Sequence, residues 1–189
     1  MKKSTPLFLT LFLLVFHTAL IAQTVNFALK TGPSVNFVFD SIDKYNNGIV
    51  IPSFLTLRVE AGTKWDLYVG TNTSTGGFFD VNTSYSSTGI SSIPVNVLQA
   101  RISNASHTSP KDNVFFGLTD ISNPEYLIGS PATDAASNVC PGAGTNTAGS
   151  YTTEPQCYTF KVDLKAKPGL GYRPGSYSLQ IDFVIVPDL

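Results

Sequence analysis

Imidazole is the side chain on which acid–base and nucleophilic catalysis near neutral pH most often lean, and this chain has two histidines. His17 lies in an apolar N-terminal run, and His107 stands in SNASHTSP. Neither a Gly-x-Ser-x-Gly elbow nor a cysteine nucleophile accompanies His107, so it reads as a surface-loop residue. Asp66, Asp80, Asp112, Asp120, Glu125 and Glu154 could converge as a glycosidase pair, but no spacing singles out two of them. Asp40, Asp43, Asn46 and Asn47 precede Gly48, yet they lack the alternating ligand positions of a calcium loop and read as a strand end and turn. His-Glu-x-x-His, a phosphate loop and a dinucleotide fingerprint are all missing. The expectation is a non-enzymatic protein without cofactor or metal.

Cys140 and Cys157 are the two cysteines. No histidine or further cysteine sits at ligand spacing, so a disulfide is expected ahead of a metal pair. Closing that loop would contribute roughly 3 kcal/mol in the chain-entropy model.

Aromatic side chains are the remaining candidates for binding. In KWDLYVG, Trp65 alternates with Leu67 and Val69 while Asp66 and Tyr68 point the other way. Trp65 is therefore expected to plug a core rather than offer its face to a sugar. Tyr68, Tyr85, Tyr126 and Tyr151 remain as candidate ligand contacts on an outward face or on loops.

The elements that must position these residues follow a period of two. Strand candidates are 35–40, 54–60, 64–70, 78–81, 93–102, 113–118, 157–166 and 176–186, separated by Gly, Pro and Asn. No window of eleven residues has helical periodicity. An all-β, single immunoglobulin-like antiparallel sandwich of about eight strands with long polar loops is expected. Ala61-Gly62-Thr63 suggests that 54–70 is a hairpin, and Arg173-Pro174-Gly175-Ser176 suggests a type II turn. Trp65, Leu67, Val69, Tyr158, Phe160, Val162, Leu164, Tyr177, Leu179, Ile181, Phe183 and Ile185 are the expected inward residues. Val184 and Val186 interrupt the polar face of the last strand. The Ser-, Thr-, Gly- and Asn-rich stretch 120–156 reads as one long loop. Asn72, Asn82 and Asn104 open Asn-x-Ser/Thr sequons, taken only as markers of exposed loops.

Lys2 and Lys3 followed by an apolar run from Leu7 to Ala22 have the form of a secretory signal peptide over 1–22, too short to span a bilayer. The expected exported domain is then 23–189, extracellular, on the cell surface or periplasmic. Twelve Lys and Arg against thirteen Asp and Glu become ten against thirteen once Lys2 and Lys3 leave with the leader, a net charge near −3. With no basic stripe, nucleic acid and anionic membrane are not expected partners.

Trp65-Asp66-Leu67 on an early strand, followed by Pro174-Gly175-Ser176-Tyr177 and a terminal alternating strand, resembles small exported bacterial β-sandwich proteins. These are pilin-like, spore-coat-U-like fimbrial subunits and WxL-like cell-wall-binding domains. The resemblance implies a structural or adhesive surface protein acting on other surface proteins or on copies of itself. The alternative is a module that binds carbohydrate or cell wall. Val25, Phe27 and Leu29 in TVNFALK form a candidate strand-addition segment, whose simpler reading is a first strand of its own domain.

Overall fold

The computed structural model describes residues 25–29, 34–103, 113–129 and 148–187. The expected signal peptide, His107, Asp112, Asn104 and Cys140 lie outside them. Eleven strands occur among the described residues, where about eight were expected, and every ladder is antiparallel. They are β1 (Val25–Leu29), β2 (Ile49–Ala61), β3 (Trp65–Asn72), β4 (Asp80–Ser84), β5 (Leu98–Ser103), β6 (Phe116–Gly117), β7 (Glu125–Ile128), β8 (Gly149–Ser150), β9 (Thr159–Ala166), β10 (Gly175–Ser178) and β11 (Gln180–Pro187). One sheet runs β1-β2-β9-β5-β6 with β8 on the end of β2; a second runs β11-β3-β7, and β10 pairs β4 separately.

The inner faces follow the pleat except at a bulge in the β3–β7 ladder, where the neighbours Leu127 and Ile128 are both buried. Leu55, Leu57, Val59, Leu98, Ala100, Ile102, Phe160, Val162 and Leu164 of the large sheet are buried against Trp65, Leu67, Val69, Leu127 and Ile128 of the smaller one. An all-β sandwich results.

The expected hairpin over 54–70 is not formed. β2 pairs with β1, β8 and β9, whereas β3 pairs with β11 and β7, so the chain crosses between sheets at Gly62–Lys64. The alternation was right, but its two apolar faces meet across the core instead of lying side by side. The segment 35–40 is extended without being a strand, and 78–81 contributes only its second half to β4. In 93–102 a 3₁₀ turn at Val95–Val97 precedes β5, and in 113–118 only Phe116–Gly117 forms a strand. The final candidate divides at Leu179 into β10 and β11, which pair with different partners. The stretch 120–156 contains β7, β8 and the start of a short helix, so it is not one loop.

The α-helices among the described residues are α1 (Ile42–Asn47) and α2 (Pro155–Tyr158). α1 replaces the expected turn. Ser41 caps it through Oγ, which accepts from Lys44 N at 3.4 Å, and Gly48 ends it at φ 79°, a left-handed value that glycine adopts without cost. Gly175 is not in a type II turn: it begins β10, outside the positive-φ glycines, and a Cβ there would collide with the Thr83 carbonyl oxygen. Close approach of two strands explains that glycine, not turn conformation. Asn82 likewise lies in β4, where its Oδ1 accepts from Ser178 Oγ at 3.1 Å, rather than in a loop.

Candidate functional site

Trp65 is a core residue. It is fully buried, and its ring centroid lies 6.3 Å from that of Tyr158 and 6.2 Å from that of Phe160, tilted and edge-on. A ligand has no access to its face. Leu67, Val69, Tyr158, Phe160, Val162 and Leu164 are buried as expected, whereas Tyr177, Leu179, Ile181, Phe183 and Ile185 are only half-buried. Their strands explain the difference. Among the described residues β11 is an outermost strand, paired only to β3, and β10 belongs to a two-stranded ribbon outside both larger sheets, so their side chains stay part-exposed. Val184 and Val186, also half-buried, lie opposite Tyr68 and Asp66 in the β3 ladder.

The candidate binding tyrosines separate into three places. Tyr68 and Tyr126 meet across the β3–β7 ladder with centroids 5.5 Å apart. Tyr151 lies under the Arg58 guanidinium at 5.3 Å, next to β2. Tyr85 is exposed beyond β4, its N–H donating to the Pro174 carbonyl at 2.9 Å. They form no continuous aromatic line.

Two of the candidate carboxylates, Asp80 and Asp120, serve the backbone. Asp80 accepts from Ser74 N at 2.9 Å, and Asp120 accepts from Gly77 N at 3.2 Å, so the two brace one turn from opposite ends. The Ser122 hydroxyl and N–H, together with Gly77 N–H, hold the Asp120 carboxyl below its ordinary value against the opposing effect of burial. Glu154 precedes α2 as its cap residue without a side-chain cap bond. Among the described residues no three His, Cys, Asp or Glu side chains gather as a metal site. Cys157 is buried beside the Trp65 cluster and carries no free thiol.

A charged site missed from the sequence lies on β5 and β9. Ser53, at φ 50° in a bulge of β2, donates its N–H to Asp163 Oδ1 at 2.7 Å, and Arg101 Nε donates to Oδ2 at 3.0 Å. Burial pushes the Asp163 carboxyl up, but the Ser53 N–H and Arg101 outweigh it and the net direction is down. Phe115 carries both Arg101 and Lys165 over its ring, at 4.6 and 5.4 Å. The job of this cluster is to close a bulge that Pro52, lacking an N–H, helps to open.

Two features have the form of binding surfaces. β1 forms the edge of the large sheet, with Val25 opposite Ala61, Phe27 opposite Val59 and Leu29 opposite Leu57. Farther along, Ser34–Phe39 is extended, with Val35, Phe37 and Phe39 half-buried and the residues between them exposed. Its main chain makes no hydrogen bond among the described residues. An extended segment normally satisfies its N–H and C=O groups in a ladder, so this one is an open template. It borders an apolar cavity of about 1040 Å³ that continues to β10 and β11. The alternation of 35–40 was visible in the sequence; its lack of a partner was not.

No family model matches the chain, and no curated protein matches it.

Proposed function

We propose that this is an exported, non-enzymatic structural protein, pilin-like in its manner of assembly, in which copies associate by adding a strand to one another. The unpaired main chain of Ser34–Phe39 carries this reading, because it offers a ladder edge already extended and already facing the core on alternate residues. Val25–Leu29 is the matching donor: it has the same alternation and is held at a sheet edge by a single ladder. The dispersal of Tyr68, Tyr85, Tyr126 and Tyr151 weighs against a polysaccharide platform. Export through residues 1–22 and a Cys140–Cys157 disulfide belong to the same proposal.

Light scattering of residues 23–189 over a range of concentrations tests it, beside the double variant Asn26→Cys/Glu60→Cys. Those positions face each other in the β1–β2 ladder, so their bond would lock β1 at home. Concentration-dependent oligomers that disappear in the locked variant are expected. Monomers at every concentration would refute the assembly.

A further inference from the structure

The cavity has a chemistry of its own, independent of assembly. Its walls include Phe37, Phe39, Phe54, Phe79, Leu179 and Phe183, and Arg173 is the one charged residue among the described residues that line it. Exposed residues such as Asn36 and Ser178 also line it, so it reaches solvent. A volume of about 1040 Å³ lies just above the roughly 300–1,000 Å³ typical of small-molecule pockets.

Arg173 is held in place before any ligand arrives. Its N–H donates to the Ile90 carbonyl at 3.0 Å, its carbonyl accepts from Tyr177 Oη at 2.7 Å, and its Nε donates to the Gly89 carbonyl at 2.9 Å. Its two Nη groups make no hydrogen bond among the described residues. A guanidinium fixed through Nε with both Nη groups available is suited to a carboxylate. No carboxylate is among the described residues that line the cavity.

We infer that the cavity binds a free single-chain amphiphile with a carboxylate head, the head on Arg173 and the chain among the phenylalanines. The two requirements are separable: apolar burial supplies affinity for any chain of the right length, and Arg173 selects the anion.

Displacement of a fluorescent polyene fatty acid from the intact chain tests this with dodecanoate and 1-dodecanol as competitors. Dodecanoate is expected to bind at least about tenfold more tightly than the alcohol, as a charge-assisted hydrogen bond implies. Arg173→Gln should erase that ratio while leaving dodecanol binding in place, and Arg173→Lys should restore part of it. Val35→Trp, which fills the cavity from the Ser34–Phe39 wall, should abolish both, with circular dichroism confirming that each variant is folded. Equal affinity for acid and alcohol, or binding that survives Val35→Trp, would overturn the assignment. So would displacement of the probe by the peptide TVNFALK but not by dodecanoate, which would give the cavity to a strand. Retention of the chain by phosphatidylglycerol vesicles without binding of free dodecanoate would give it to a membrane.

Discussion

Around Trp65 two apolar faces meet and bury the ring completely, while at Ser34–Phe39 the same alternation of side chains borders a cavity. Both regions read alike in the sequence. They differ in what the main chain does: β3 lies between β11 and β7, whereas Ser34–Phe39 has no ladder on either side among the described residues. Closing a core therefore takes more than apolar side chains at every second position. A paired main chain must also hold the two faces at contact distance, and where it is absent the apolar residues become a surface for something else.

Substitutions at the two ends sharpen that contrast. Trp65→Ala should cost about 3–5 kcal/mol in urea unfolding, because the cavity left among Tyr158 and Phe160 cannot collapse. Asp163→Ala should cost about 2 kcal/mol by leaving the Ser53 N–H and Arg101 without their acceptor. At the open end, Phe37→Ala should cost only about 1 kcal/mol, since a half-buried ring gives back about half of its transfer free energy. A loss equal to that at Trp65 would mean that the cavity region is packed as tightly as the closed end. Tyr68→Ala, removing one ring of an outer-face pair, should cost about 0.5 kcal/mol.

Acid distinguishes the charged bulge from both apolar regions. The folded-state pKa of Asp163 is depressed, so its contribution is present above the ordinary carboxylate value and is lost as pH falls through the folded value. Urea midpoints of the wild type and Asp163→Asn should differ at about pH 6 and converge as pH falls below the ordinary carboxylate value and through the depressed folded value of Asp163. The difference made by Phe37→Ala should show no such convergence.

The candidate site was legible only in fragments. Val35, Phe37 and Phe39 announced an apolar face, and Arg173 lay in a recognisable Pro-Gly segment, yet 138 positions separate Val35 from Arg173. Their shared cavity depends on how β10 and β11 run past Ser34–Phe39. The Ser53–Asp163–Arg101 cluster was invisible for the same reason: its three members come from separate strands.

The sequence alone determined the fold class and the burial of Trp65. Alternation is a local property, and a tryptophan sharing its face with Leu67 and Val69 goes wherever they go. Only the tertiary structure decided which strands pair. It sent β2 and β3 to opposite sheets where a hairpin was expected, gave β1 to β2, and left Ser34–Phe39 without a ladder among the described residues. Side chains encode which face is apolar, but nearly every residue carries the same N–H and C=O groups, so the choice of partner emerges only when whole faces compete for burial.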